Sequence, residues 1–267
     1  MAQVVAVANH KGGVGKTASV VNLGAAFAEA GKRVLIIDLD PQGHATAHLG
    51  VEDTGAALVR ALQSGDGLPA SPTSTEGLDL VASGPALAAV RQRFSEVMGG
   101  ELLARSFERT RGDWDLVIID CPPSLDVLAL NALRLSRHLI IPVEASTFAL
   151  TSLRQMGETL EAVRSRNPAL AVLALVPCRA HPRLRMHREI LARLEKLLPG
   201  RMAPVVRENV AVAEAGGRGQ PVLRYAPDSA GASDYRAVAS WLSGRLFPAG
   251  PFDPGPRREK RAPAPRG

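Results

Sequence analysis

The residues best suited to chemistry form a glycine-rich stretch near the start of the chain, Asn9-His10-Lys11-Gly12-Gly13-Val14-Gly15-Lys16-Thr17. A short apolar run precedes this stretch and an amphipathic run follows it, so it is predicted to join a strand to a helix. Glycines let main-chain N–H groups turn inward around phosphate oxygens, and the start of the following helix favours the same negative charge. Lys16 is then predicted to lie along the β- and γ-phosphates, and the Thr17 hydroxyl to bind Mg²⁺. The predicted nucleotide cradle comprises Lys11, Gly12, Gly13, Val14, Gly15, Lys16, Thr17 and Ala18.

Two further segments place carboxylates at the ends of apolar strand patterns. The first, residues 35–43, carries Asp38 and Asp40, whose spacing in an extended chain puts both side chains on one face. The second, residues 114–124, has an apolar strand that ends in Asp120, as in the Walker B arrangement that holds Mg²⁺, usually through water. Both strand ends are expected to face the nucleotide crevice. Thr17 and Asp120 are therefore predicted to hold the metal, with Asp38 and Asp40 facing the same crevice.

The elements that must position these residues alternate along the chain. Short apolar runs and amphipathic runs follow one another, which predicts an α/β fold of three layers, with a mostly parallel sheet and helices on both faces. Residues 65–76 are predicted to be a surface loop, 87–109 one or two helices and 222–225 an extended piece. The predicted strands cover 4–8, 33–37, 78–81, 116–119, 139–143 and 170–176. The predicted helices cover 18–30, 125–136, 148–166, 184–198, 210–216 and 231–247.

Composition fits one globular domain with a short tail. Hydrophobic residues make up 46% of the 267 positions and charged residues 22%, which is enough to bury a core. Residues 1–247 are predicted to be the domain. Residues 248–267 are rich in Pro, Gly, Arg and Lys and are predicted to be disordered. The two cysteines, Cys121 and Cys178, are far apart, so no disulfide framework or zinc site is indicated.

The absence of a signal-peptide pattern and of a long apolar run leads us to expect a soluble, cytoplasmic protein. The formal net charge of +6 is compatible with a nucleic-acid partner without establishing one. The tail contributes five basic and two acidic residues to that balance. Its basic residues are expected either to add electrostatic attraction or simply to keep the chain end in solution.

The glycine-rich stretch departs from the general phosphate loop in one way, because His10 stands where that loop has a glycine and Lys11 is an additional lysine. The form Lys-Gly-Gly-x-Gly-Lys-Thr resembles the deviant phosphate loop of the ParA/MinD family of ATPases. Asp38-Leu-Asp-Pro-Gln-Gly43 is similar to that family's switch I, and Asp120-Cys-Pro-Pro-Ser124 to its switch II. Further similar segments, in the expected order, are 128–133, 141–144, 207–215, 219–222 and 225–232.

The resemblance covers about residues 2–247 and implies a P-loop NTPase fold and an ATPase that uses ATP and Mg²⁺. It implies that Lys11, Lys16 and Asp40 are catalytic, with Lys11 reaching the partner's nucleotide in an ATP-dependent homodimer and Asp40 orienting the attacking water. The resemblance further implies that Asp38 and Asp40 join Thr17 and Asp120 in the metal site, with Asp38 supporting the magnesium shell or the switch geometry. The resemblance also implies further nucleotide contacts, at the adenine, from Cys178, Arg179 and Val206.

Within the family, the features favour a short partition type of the ParA/Soj kind without an N-terminal helix-turn-helix. The proline-rich tail is unlike the amphipathic membrane helix of MinD-like members, so no membrane partner is expected. This type is expected to bind non-specific double-stranded DNA on the nucleoid and to be stimulated by a ParB-like partner. The alternative is a ParA-like ATPase that positions a protein cargo. The candidate DNA contacts are Arg183, Arg185 and Arg188, with Arg207, Arg218 and Arg224 as additions.

Overall fold

Residues 2–90, 101–124 and 126–248 are described by a computed structural model, in which strands and helices alternate. The predicted tail from 249 onward lies outside the described residues. The strands are β1 (Gln3–Val7), β2 (Val34–Asp38), β3 (Ala70–Pro72), β4 (Leu78–Val81), β5 (Leu116–Asp120), β6 (His138–Glu144) and β7 (Ala171–Cys178). The helices are α1 (Lys16–Glu29), α2 (His44–His48), α3 (Ala56–Ser64), α4 (Leu102–Glu108), α5 (Val127–Leu135), α6 (Ala149–Arg164), α7 (Arg185–Leu197), α8 (Val210–Gly217), α9 (Val222–Tyr225) and α10 (Ala230–Leu246).

The described strands form one sheet in the order β3-β4-β2-β5-β1-β6-β7, and every neighbouring pair is parallel except β3 with β4. The register of the central strands is level, since Asp120 lies opposite both Val7 and Asp38. The loop after β1 and the carboxylates of β2 and β5 therefore meet at one edge of the sheet. The predicted three-layer α/β fold is therefore confirmed, and its crevice lies at the carboxyl ends of the strands.

Each central strand is buried on both faces, which explains its continuous apolar sequence. In β2, Leu35 and Ile37 enter the core under the side that carries α3 to α7, while Val34 and Ile36 enter the core under α1 and α10. The two layers of helices thus cover opposite faces of the sheet. Among the described residues, no helix has both the length and the apolar character needed to cross a bilayer.

Three short elements differ from the sequence-based predictions. The predicted loop 65–76 contains β3, which pairs antiparallel with the strand that follows it, β4. The predicted extended piece 222–225 is wrong, because these residues form the single helical turn α9 after Pro221. Helices α2 and α3 were not predicted. Of the predicted helical region 87–109, the structure has a 3₁₀ turn at Pro85–Leu87 and helix α4, and 91–100 lie outside the described residues.

Asn22 fastens α1, the helix that follows the glycine-rich loop, to the turn α9. Its Oδ1 accepts a hydrogen bond from the Val222 N–H (2.7 Å) and its Nδ2 donates to the Ala18 carbonyl (2.8 Å). The side chains of Asn22 and Val222 are both buried. The amide therefore satisfies a main-chain donor that water cannot reach.

We predict that Asn22→Ala lowers the free energy of unfolding by about 1–3 kcal/mol, because the buried Val222 N–H loses its acceptor. Urea unfolding followed by circular dichroism measures this change. Ser165→Ala removes an exposed hydroxyl that also donates to a helical carbonyl and should change stability by less than about 0.5 kcal/mol. Equal losses in the two variants would contradict the role assigned to Asn22.

Candidate nucleotide site

The glycine-rich loop adopts main-chain conformations that its glycines make possible. Gly13 and Gly15 have φ angles of 73° and 90°, in the left-handed region that side chains disfavour. A Cβ added to Gly12 or Gly13 would meet no described atom within 4 Å, so the loop opens toward free space there. No side chain among the described residues caps the start of α1. Its first N–H groups therefore remain available to a ligand.

Asn9 fixes the base of this loop to the neighbouring elements. Its Nδ2 donates to the Pro142 carbonyl in β6 (2.7 Å), and its Oδ1 accepts from the Lys11 N–H (3.0 Å) and from the Ser152 hydroxyl in α6. Asn9 is 2% exposed. Asn9 stands within the predicted motif but has no role that the sequence alone assigns. Ser152 could not be linked to it because 143 residues separate them.

Lys16, Thr17 and Asp120 meet in the centre of the site. The Thr17 hydroxyl donates to Asp120 Oδ2 (2.8 Å), and Lys16 Nζ donates to the Lys11 carbonyl (3.1 Å). Burial lowers the pKa of Lys16, while the nearby charges of Asp120 and Asp40 partly oppose that shift. Burial also raises the pKa of Asp120 well above its usual value, and the charge of Asp38 adds to the effect. The charged forms of Lys16 and Asp120 thus each lack a complete set of partners in the protein itself.

The residues present fit a magnesium nucleotide. Asp120 Oδ1 is buried and has no hydrogen-bond partner within the described chain. Thr17 supplies a hydroxyl oxygen beside it, and Lys16 supplies a buried cation next to a loop with open N–H groups. Mg²⁺ prefers oxygen ligands and is commonly held by one or two protein groups together with phosphates. Mg²⁺ bound here would give a partner to Asp120 Oδ1, a buried oxygen that is costly to leave unpaired.

Asp38 and Asp40 have different surroundings although both lie at the carboxyl end of β2. Asp38 is fully buried, and its two carboxylate oxygens accept from the Asp40 N–H (3.0 Å) and from the N–H and hydroxyl of Thr46 (2.9 and 2.8 Å). Burial raises its pKa, and the Thr46 hydrogen bonds oppose that rise. Asp40 accepts from the Gln42 N–H through Oδ1 (3.0 Å). Asp38 therefore fits a role in shaping the switch segment better than direct contact with a metal.

Lys11 lies against its own subunit. Its Nζ forms a salt bridge with Glu144 Oε2 (2.5 Å) at the end of β6, and lies 3.4 Å from the Ser146 hydroxyl and 6.0 Å above the Phe148 ring. Phe148 is 67% exposed. The sequence analysis did not identify Glu144 as a site residue. The rule applied to Asp38 and Asp120, an acidic residue at the end of a parallel strand, would have found it.

The three predicted adenine contacts lie beside one another. Cys178 pairs with Val206 in an isolated parallel bridge, and both side chains are buried. The Cys178 side chain lies 3.4 Å from where a Cβ on Gly15 would sit, so it supports the underside of the loop. Arg179 is exposed and has a φ of 51°, a left-handed conformation uncommon for arginine. Of the three side chains, only that of Arg179 is exposed.

The predicted DNA contacts separate into a cluster and scattered positions. Arg183, Arg185 and Arg188 lie at the start of α7; Arg188 Nη1 donates to the Arg183 carbonyl (3.1 Å), and Arg185 pairs with Glu189 (2.8 Å). Two more arginines have their charge engaged elsewhere, Arg207 with Asp234 (2.7 Å) and Arg224 with Ser74 (2.9 Å).

Arg218 and Arg224, two of the three predicted additions, lie beside other parts of the fold. Ser74 lies between β3 and β4, at the edge of the sheet opposite to β7, so Arg224 is remote from the start of α7. Arg218 follows α8, next to Gly219, which contacts the turn at Gly50.

Comparison with known proteins gives a consistent result. A family model described as an AAA domain matches residues 2–172. The sporulation initiation inhibitor protein Soj of Bacillus subtilis is 35% identical over 248 residues, covering 90% of this chain and 97% of that protein. The chromosome-partitioning ATPase Soj of Thermus thermophilus is 36% identical over 244 residues, covering 91% of this chain and 96% of its own length.

A solved structure shares both sequence and fold with this chain. It is named as a cobyrinic acid a,c-diamide synthase from Mycobacterium smegmatis with bound ADP and magnesium. The two are 32% identical with a TM-score of 0.77, and the match covers 95% of this chain and 99% of that one. The similarity therefore extends over the whole sheet and both layers of helices.

We predict that Lys16→Ala lowers the affinity for ATP at least about a hundredfold, because it removes a buried ammonium that contacts the open loop at the Lys11 carbonyl. Fluorescence titration with a labelled ATP analogue in the presence of Mg²⁺ measures the dissociation constant. Lys196→Ala removes an exposed lysine from the end of α7 and should leave the affinity unchanged. Full affinity in Lys16→Ala would refute the assignment of this loop to phosphate.

Proposed function

Because this chain belongs to the ParA/Soj family of partition ATPases, we propose that it couples ATP hydrolysis to the segregation of DNA molecules. The chain is an ATPase that uses ATP with Mg²⁺. The observation that supports the phosphate site most directly is the hydrogen bond from Thr17 to Asp120, whose other oxygen is buried and unpaired among the described residues. Mg²⁺, when bound there, would neutralise charge that develops on the phosphates.

The proposed catalytic arrangement assigns one task to each side chain. Lys16 and the loop N–H groups bind the phosphates, and Thr17 and Asp120 hold the metal. Asp40 orients the attacking water, a role supported by its place at the end of β2 in the same crevice and by its fixed Oδ1 contact with Gln42. Water-positioning residues contribute by orientation, so small displacements of Asp40 would slow the reaction.

The proposed dimer explains the second lysine of the loop. Lys11 is held by Glu144 in a salt bridge in which both side chains are about one third exposed, at 35% and 34%. Such pairs contribute only about 0.2–1 kcal/mol, so the bridge can be exchanged for a phosphate at small cost. The exposed Phe148 beside it offers apolar surface to a second copy. We therefore assign Lys11 to the nucleotide of the partner in an ATP-dependent homodimer.

The proposed DNA contact is the arginine cluster Arg183, Arg185 and Arg188. These side chains lie at and before the start of α7, where they can neutralise phosphates without reading bases. A dimer doubles the cluster, which makes the affinity for DNA depend on ATP. A ParB-like partner is proposed to stimulate hydrolysis and so to release the DNA. A protein cargo in place of DNA is the alternative outcome of the binding experiment described below.

We predict that Asp40→Ala binds ATP with an affinity within about threefold of the original but hydrolyses it at least about a hundredfold more slowly. The reason is that the carboxylate is assigned to orienting water and not to holding phosphate. Phosphate release under saturating ATP and Mg²⁺ measures turnover. Asp53→Ala, which removes a carboxylate from the turn before α3, is the control and should hydrolyse ATP normally. Normal turnover in Asp40→Ala would exclude Asp40 from catalysis.

We predict that the protein binds a non-specific DNA duplex with ATP and much more weakly with ADP. In Arg185→Ala/Arg188→Ala the binding should weaken, and the dependence of log K on log salt should flatten by about 0.9 for each lost phosphate contact. Fluorescence anisotropy at several salt concentrations measures both quantities.

The control for this experiment is Arg154→Ala/Arg164→Ala, which removes two exposed arginines from α6 that are also paired with glutamates. It should retain both the affinity and the slope. An unchanged slope in Arg185→Ala/Arg188→Ala would place the contact elsewhere. Failure of the unchanged protein to bind DNA with either nucleotide would favour a protein cargo.

A further inference from the structure

The main chain of Asp40 is fixed by a closed ring of buried hydrogen bonds that includes a residue from a distant part of the sequence. The Ser83 hydroxyl, just after β4, donates to the Asp40 carbonyl (2.8 Å). The Ser83 N–H donates to the Thr46 hydroxyl (2.9 Å), and that hydroxyl donates to Asp38 Oδ2 (2.8 Å). Asp38 Oδ1 accepts from the Asp40 N–H (3.0 Å) and so closes the ring.

Within the ring Ser83 donates twice, Asp38 accepts twice, and Thr46 and Asp40 each donate and accept, so removing any member leaves a buried group unpaired. The four residues Asp38, Asp40, Thr46 and Ser83 are between 0 and 8% exposed. Because water does not reach most of these groups, the lost bond would not be replaced by solvent. The ring therefore holds the main chain of Asp40 in place, together with the peptide bonds to its neighbours.

Ser83 is itself held firmly. It follows β4, which pairs with β2 directly, so the two loops leave the same edge of the sheet side by side. A Cβ on Gly84 would lie 2.3 Å from the Asp53 carbonyl, and a Cβ on Gly43 would lie 3.1 Å from the Ser83 carbonyl. These approaches are close enough that only glycine fits at Gly84 without movement. The loop after β4 therefore acts as a rigid support for the switch segment.

We propose that Ser83 and Thr46 are positioning residues for ATP hydrolysis, which hold the main chain of Asp40 so that its carboxylate meets the attacking water. The inference rests on the proposed role of Asp40. Neither residue is close to the glycine-rich loop in sequence, and neither belongs to the motifs that marked the site. Their effect is on the rate of the chemical step and not on ATP affinity.

The test measures kcat and KM for ATP, with Mg²⁺, in Ser83→Ala, Thr46→Val and Thr46→Ser. Ser83→Ala should lower kcat about tenfold, which corresponds to about 1.4 kcal/mol, with KM within about twofold. Thr46→Val keeps the size of the side chain and loses the hydroxyl, so it should lower kcat at least as much. Thr46→Ser restores the hydroxyl and should return kcat to within about twofold of the original.

The matched control is Ser106→Ala. The Ser106 hydroxyl is also buried and also donates to a main-chain carbonyl, that of Ala61 (2.9 Å), but it links α4 to α3 away from the crevice. It should lower stability by a similar amount and leave kcat unchanged. A similar loss of kcat in Ser106→Ala would show that general destabilisation explains the effect, and would overturn the proposal.

The outcomes separate this inference from the proposed function. If Asp40→Ala hydrolyses ATP normally, the catalytic role of Asp40 fails and the ring loses its significance for hydrolysis. If Asp40→Ala is inactive while Ser83→Ala and Thr46→Val keep their full kcat, the positioning role alone is refuted. Should Thr46→Val fail to fold by circular dichroism, Ser83→Ala decides the question against Ser106→Ala.

Discussion

Charge buried at one edge of the sheet is the constraint on which the rest of this structure depends. Lys16, Asp38, Asp40 and Asp120 are all nearly or fully buried there. Each buried charge must be paired or hydrogen-bonded to be tolerated. Asp38 is satisfied within the protein by Thr46 and the Asp40 N–H, whereas Asp120 keeps one oxygen unpaired and Lys16 has one hydrogen bond among the described residues. The site is therefore completed by a ligand that brings both a cation and negative oxygens.

The level register of the parallel strands is what brings these charges together. Val7, Asp38 and Asp120 lie opposite one another in β1, β2 and β5, so the three following loops start from the same line. A shift of register by one residue would turn every side chain of a strand to the other face. In β2 and β5 both faces are apolar and successive side chains pack into two different cores, so such a shift would require both cores to repack. Core packing thus sets the position of the proposed catalytic groups.

The central sheet and the centre of the site could be predicted from the sequence, because their signals are local. Strand β5 is a run of apolar residues ending in Asp120, and the glycine-rich loop carries its own chemistry. The contacts that the sequence analysis missed join distant residues: Ser83 to Asp40, Ser152 to Asn9 and Glu144 to Lys11. Serine and glutamate are ordinary at such positions, and only the fold shows what they meet. The fold likewise shows, as the sequence does not, that Arg224 contacts Ser74, remote from the α7 cluster.

The two lysines of the loop illustrate how burial can divide tasks between identical side chains. Lys16 is 8% exposed, and moving its ammonium out of the crevice would require breaking the packing around it. Lys11 is held at the surface by Glu144 and lies above the exposed Phe148, where water competes for its charge. We therefore propose that the first lysine serves the nucleotide of its own subunit, while the second can exchange one anionic partner for another. On the proposed function, the exchange of Glu144 for a phosphate is what allows ATP to join two subunits. ADP offers one phosphate fewer, so the same exchange loses its partner when hydrolysis is complete.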